Sequence, residues 1–161
     1  MIRNVDNRDA GALARIYNPY VLDSVITFEE QVVTDDRMAE RIREVLDSGL
    51  PWLVDETDGV VRGFAYASQW KGRCAYRYSA ETTVYLDRTA TGQGLGRQLY
   101  TELLDRLRAK KLHVAIGGIA LPNPASVALH ERLGFHKVAH FAEVGFKFDR
   151  WIDVGYWQRL L

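Results

Sequence analysis

The run Thr83-Val84-Tyr85-Leu86-Asp87 is followed, four residues on, by Gly92-Gln93-Gly94-Leu95-Gly96-Arg97. The first run is rich in β-branched and aromatic residues and reads as a strand. The second is a glycine-rich turn that opens a helix. Leu95, Leu99, Leu103 and Leu107 recur on one face of that helix, predicted from about Leu95 to Lys111. The first N–H groups of a helix have no partner inside it, and its dipole favours negative charge at that end. Glycines let a large anion reach those amides, so strand, turn and helix together form a candidate phosphate or pyrophosphate cradle. The spacing Gly92-x-Gly94-x-Gly96 is not the dinucleotide fingerprint Gly-x-Gly-x-x-Gly, and no Gly-Lys-Ser/Thr follows as in a P-loop. The glycine spacing alone also fits a plain glycine-rich turn; a pyrophosphate bound here is expected to belong to another ligand.

Outward from this segment, helical and strand periodicities alternate. Ile2–Val5 reads as a short strand, and Asp6 caps the helix carrying Leu13, Ile16 and Tyr17. Ser24-Val25-Ile26-Thr27-Phe28 is β-like. Thr34 caps a second helix with the apolar stripe Met38, Ile42, Val45 and Leu46, ended by Gly49 and Pro51. Trp52–Val54 and Val60–Trp70 form a hairpin about Thr57-Asp58-Gly59. Thr82–Leu86 and the apolar run His113–Leu121 are strands. Asn123–Leu133 is a helix stopped by Gly134, and Phe135–Phe141 and Trp151–Leu160 close the chain as strands. The predicted order is β-α-α-β-β-β-α-β-α-β-β.

With 161 residues, 47% of them hydrophobic, and a net charge of zero, the chain is expected to form one domain over residues 1–161 and is not disordered. The charge balance argues against nucleic acid as a partner. The single cysteine, Cys74, makes neither an internal disulfide nor a thiolate zinc site, and a reducing cytoplasm is the simplest setting. No apolar run reaches the ~18 residues of a membrane span, and Met1–Asp9 lacks the apolar stretch of a signal peptide. His136 and His140 have no further ligand group to make a metal site, so no metal is expected.

The strand, the glycine loop and the helix after it resemble the acyl-CoA motif of the GNAT N-acetyltransferases. Asn123-Pro124-Ala125-Ser126, with Leu129-His130-Glu131-Arg132-Leu133-Gly134-Phe135, resembles the second motif of that superfamily. Within it the chain is similar to the phosphinothricin and methionine sulfoximine N-acetyltransferases nearly throughout. The carrying segments are Ile26-Thr27-Phe28, Pro51-Trp52-Leu53-Val54, Trp70-Lys71-Gly72-Arg73, Ala75-Tyr76-Arg77-Tyr78, Glu81-Thr82-Thr83-Val84-Tyr85 and Gly145–Gly155. The resemblance implies an α+β fold of three layers, the acyl-CoA N-acyltransferase fold, whose mixed, mostly antiparallel twisted sheet is flanked by helices.

It also implies acetyl-CoA as co-substrate. The pyrophosphate would lie on the amides of Gly92, Gln93, Gly94, Leu95, Gly96 and Arg97, and the pantetheine arm would pair, strand-like, with Val84, Tyr85 and Leu86. Backbone N–H groups there would polarise the acetyl carbonyl. Where the superfamily usually has Arg or Gln before the first glycine, this chain has Thr91; a cradle of amides survives that change, with weaker coenzyme affinity expected.

Glu81 is the candidate general base, since only the neutral amine attacks a thioester. A lone strand Glu is more often an ordinary surface residue; the family match favours the base. His130 is the candidate acid for the leaving thiolate, and Asn123 would position the coenzyme arm or a water. Lys71, Arg73 and Tyr76 match acceptor-contacting positions, where Lys and Arg suit oxyanions. Phe28 matches a position that packs on the acceptor's aliphatic part, and Lys147 is placed facing the acceptor pocket. Arg77 and Tyr78 lie where family members vary. The aromatic segment Gly145–Trp157 reads as a lid or a dimer contact, with Trp157 in the core; the family implies a homodimer.

The expected activity is acetyl transfer to the α-amino group of a small amino acid such as L-phosphinothricin or methionine sulfoximine or sulfone. Two alternatives stand beside it: a relative acting on a peptide N-terminus or another small amine, and a coenzyme-binding module without catalysis.

Overall fold

A computed structural model describes all residues, 1–161. In chain order its elements are β1 (Ile2–Asn4), α1 (Ala10–Asp23), α2 (Asp35–Asp47), β2 (Trp52–Thr57), β3 (Val60–Gln69), β4 (Ser79–Leu86), α3 (Leu95–Ala109), β5 (Val114–Ala120), α4 (Pro124–Arg132), β6 (His136–Lys147) and β7 (Arg150–Leu160). This is the predicted order. The strands form one sheet in the order β1-β2-β3-β4-β5-β7-β6. Every neighbouring pair is antiparallel except β4 and β5.

Strand alternation divides the core into two layers. On β2, Leu53 joins Ala65, Ala67, Ala80 and Ala115 beneath α3. Its neighbours Trp52 and Val54 join Phe64 on the other face, beneath α1 and α2. Successive side chains of a strand point to opposite faces, so a strand covered on both sides needs an unbroken apolar run. The α3 stripe is placed as predicted, with Leu95, Leu99, Leu103 and Leu107 all buried against the sheet. No helix is long and apolar enough to cross a membrane.

Three expectations are corrected. Ser24–Phe28 is not a strand. Its backbone is satisfied by side chains instead: the Ile26 N–H donates to Ser24 Oγ (3.3 Å), the Glu29 N–H to Thr27 Oγ1 (3.3 Å), and the Thr27 carbonyl accepts from Lys147 Nζ (2.8 Å). Such local bonds compete with a ladder. Leu46 is 44% exposed, so the α2 stripe is Met38, Ile42 and Val45 alone. The last hairpin is longer than predicted, because β6 runs to Lys147 and turns through Phe148 and Asp149, both at positive φ (53° and 55°). Two left-handed residues in a two-residue loop match the twist of the flanking strands.

Candidate active site

The parallel pair sets the site. β4 and β5 pair only at Ser79–Val114, Ala80–Ala115 and Glu81–Ile116. Beyond Glu81 the strands part, although β4 continues to Leu86 and β5 to Ala120. Thr82 Oγ1 donates to the Ile116 carbonyl (3.2 Å) at the fork. The opening is a crevice of about 300 Å³ walled by Thr83, Val84 and Tyr85 on one side and Gly118, Ile119 and Ala120 on the other. Beside it lies a cavity of about 420 Å³, walled by Ile26, Phe28, Phe141, Val144, Val154 and Tyr156. Glu81 borders both spaces. Its carboxyl is raised above the ordinary carboxylate value by burial, with Lys71 pulling it back down.

Two adjacent glycines of β5 make room for chemistry. A Cβ on Gly117 would lie 2.4 Å from His130 Nε2, and one on Gly118 would lie 3.4 Å from Glu81 Oε1 and 3.1 Å from the Tyr156 ring. A glycine pair within a strand marks such a close approach. His130 is buried, 4% exposed. Its Nδ1 lies 2.7 Å from the Ser126 carbonyl and therefore carries the proton, while Nε2 accepts from the Tyr100 hydroxyl at 3.0 Å. Tyr100 in turn meets Thr82 Oγ1 at 2.5 Å. Burial lowers the His130 pKa, the imidazolium being the form that loses hydration. Both ring nitrogens thus face the protein, and His130 reaches the crevice through the edge of its ring and the Tyr100–Thr82 chain.

The mouth of the crevice is the glycine loop. Asp87 accepts from the Thr89 N–H (2.9 Å) and starts a short 3-10 turn over Arg88–Ala90. Thr91 Oγ1 donates to the Arg88 carbonyl (2.9 Å), so this departure from the family pattern braces the loop. Gly94, at φ 80°, is the N-cap of α3, and no side chain caps the amides that follow. Leu95 and Gly96 are buried, whereas Gly92, Gln93, Gly94 and Arg97 are exposed. Tyr20 donates to the Leu86 carbonyl at 2.7 Å, which occupies that acceptor. Asn123 Oδ1 caps α4 by accepting from the Ser126 N–H (3.2 Å), and its Nδ2 has no partner within the chain.

The structure thus brings together Glu81, Val84, Tyr85, Asn123, His130 and Phe28 around one crevice. The expected acceptor contacts are placed differently. Lys71, Arg73 and Tyr76 lie on the exposed loop between β3 and β4. Lys71 Nζ stands 5.0 Å from the Trp70 ring, which meets Tyr156 edge-on at 5.5 Å. Arg73 and Tyr76 border neither space. Lys147 is 1% exposed and holds the Thr27 carbonyl; it does not face the cavity, and burial lowers its pKa. The cavity walls Phe141, Val144 and Tyr156 and the partner Tyr100 carry no local sequence pattern of their own; the Gly117-Gly118 pair within a strand is the one sequence feature that points to a close approach there.

These features define an acyltransferase site, a strand fork beside a glycine-opened helix mouth. Residues 2–155 match the family described as an acetyltransferase (GNAT) domain, and the chain belongs to that family. It is 39% identical over 158 residues to the phosphinothricin N-acetyltransferase of Streptomyces viridochromogenes, covering 98% of this chain and 86% of that one. It is 40% identical over 159 residues to the L-methionine sulfoximine/L-methionine sulfone acetyltransferase of Salmonella typhimurium, covering 98% and 92%. The structure also superimposes, with a TM-score of 0.97 and 36% identity, on a GNAT superfamily phosphinothricin acetyltransferase from Sinorhizobium meliloti in complex with AcCoA, covering 100% of this chain and 88% of that one. The protein is an acyltransferase enzyme.

Proposed function

We propose that this enzyme moves the acetyl group of acetyl-CoA to the α-amino group of a small amino acid, with Glu81 as general base. The observation that carries the reading is the position of Glu81, the one carboxylate bordering both the crevice and the cavity. The names of the relatives, which act on phosphinothricin or methionine sulfoximine and sulfone, and the AcCoA-bound neighbour support donor and acceptor class.

The residues of the crevice fit the donor. The uncapped amides at Gly92–Arg97 suit a pyrophosphate, and the unpaired edge of β4 at Val84 and Tyr85 suits a chain of amides. Asn123 Nδ2 is a free donor on the same crevice. When bound, acetyl-CoA supplies a thioester whose carbonyl carbon accepts the amine. Glu81, raised by burial, takes the ammonium proton directly or through a water. The new N–C bond forms as the C–S bond breaks; the departing sulfur takes a proton from the His130–Tyr100–Thr82 side, and the second proton that the nitrogen loses on becoming an amide restores it through water. The apolar cavity walls, Phe28 among them, hold the acceptor side chain. Lys71, whose charge is felt at Glu81, is the cation offered to the acceptor's carboxylate.

A thiol-release assay with phosphinothricin, methionine sulfoximine, methionine sulfone and a peptide amine tests this reading. Turnover of the amino acids, and none of the peptide, is expected. Coenzyme binding without turnover of any amine would overturn it.

A further inference from the structure

Phe28, on the irregular segment after α1, stands over β6. A Cβ built on Gly145 would lie 2.3 Å from Phe28 Cζ and 2.4 Å from Cε2. No real Cβ comes that close, so the ring occupies the space that any other residue at 145 would fill. The backbone of Gly145 is not in the left-handed region, which leaves the Phe28 ring as the reason for a glycine there. Gly145 and Lys147 share one face of β6, as residues two apart on a strand must. Both are buried, and Phe146 between them is exposed. Lys147 Nζ holds the carbonyl of Thr27, and Gly145 receives the ring of Phe28. Tyr17 also meets Thr27 Oγ1, at 2.6 Å. Two same-face positions of β6 therefore seat two consecutive residues of a segment that has no ladder of its own. Phe28 walls the cavity on its other side and is 40% exposed, so the ring has room to move once its seat is filled.

We propose that Gly145 is a specificity-determining residue: by seating the Phe28 ring it sets the length of acceptor side chain that the cavity admits. This rests on the reading of that cavity as the acceptor site. The residue touches no acceptor atom itself and acts through Phe28, so it is a positioning residue.

The test compares kcat/KM for methionine sulfone and for its ethyl homologue in wild type, Gly145→Ala, Phe28→Ala and the double variant. A methylene in an apolar pocket discriminates by roughly 10–200-fold. Gly145→Ala is expected to change the ratio of the two acceptors by about tenfold or more, with KM for acetyl-CoA unmoved. In the Phe28→Ala background the same substitution should change nothing, because the ring it displaces is gone. An unchanged ratio in Gly145→Ala, or a change that persists without the ring, overturns the inference. If Phe28→Ala itself leaves both acceptors unaffected, the cavity is not the acceptor site, and the underlying reading fails instead. Should Gly145→Ala not fold alone, the double variant should fold, because the ring that the new methyl meets is gone, and a double variant that also fails to fold overturns the inference.

Discussion

Replacing Glu81 by Gln keeps the size of the side chain and removes its proton-accepting oxygen. The cavity has no carboxylate to substitute for it. Its other titratable wall group is Tyr156, whose phenol is raised by burial and by Glu81 and stays protonated at neutral pH. General-base assistance contributes roughly 10²–10⁴-fold, and with no second base the loss in kcat should be about 10³-fold, or about 4 kcal/mol at 1.36 kcal/mol per decade. Coenzyme affinity by calorimetry should stay within about twofold, because the amides at Gly92–Arg97 are untouched. The same substitution should stabilise the fold. Burial holds the Glu81 carboxyl above its unfolded value, so the folded chain prefers it protonated, and charging it as pH rises lowers stability. Gln never charges. The melting temperature of Glu81→Gln should match wild type in acid, where both side chains are neutral, and exceed it increasingly as pH rises through the folded value. The acid limb of kcat/KM in wild type should lie above the ordinary carboxylate range. Lys71→Met should move it higher still, since Lys71 favours the charged form. A Glu81→Gln enzyme that keeps more than about a tenth of its rate at pH 7 would refute the base assignment.

Two other perturbations separate fold from site. Tyr100→Phe leaves His130 Nε2 buried without its donor and removes the partner of Thr82; it should lower urea stability by about 1–3 kcal/mol, and a loss under about 0.5 kcal/mol would show that this chain carries no structural weight. Gly94→Ala meets open space but sits at φ 80°, so its strain of roughly 1–2 kcal/mol is backbone alone, and it should raise KM for acetyl-CoA while leaving KM for the acceptor unchanged.

What was legible in the sequence is what repeats locally. The α3 stripe, the Thr34 cap and the order of elements follow from periods of 3.6 and 2 and from end signals. The segment Ser24–Phe28 misled because its composition is β-like while its hydrogen bonds go to its own side chains and to Lys147, 120 residues away. The hairpin turn at Phe148-Asp149 lacks the glycine or asparagine that usually marks positive φ, so β6 looked shorter than it is. The cavity escaped for the same reason: its walls come from this hairpin and from the irregular segment, which meet only in three dimensions. Glu81 was recognisable as a residue but not as a boundary, because no local pattern says where β4 and β5 stop pairing.

That stopping point organises the chemistry. Alternation on β4 sends Ala80 and Thr82 toward α3, where Thr82 meets Tyr100, and sends Glu81 toward the other face, where the cavity lies. The fork therefore has a carboxylate on one face of the sheet and the Thr82–Tyr100–His130 chain on the other. Each hydroxyl in that chain has one proton and two partners. With neutral His130, Tyr100 donates to Nε2. With the imidazolium, Nε2 donates to Tyr100, Tyr100 to Thr82, and Thr82 to the Ile116 carbonyl. In the imidazolium state all three contacts of the chain carry a proton, which offsets part of the penalty that burial places on a charged imidazole. In the proposed mechanism a group held in the fork loses a proton toward one face while the leaving atom gains one from the opposite face, and the two transfers share no side chain. The single parallel pairing in an otherwise antiparallel sheet is what creates this arrangement, since only there do two strands diverge from a common end and leave facing edges without a ladder.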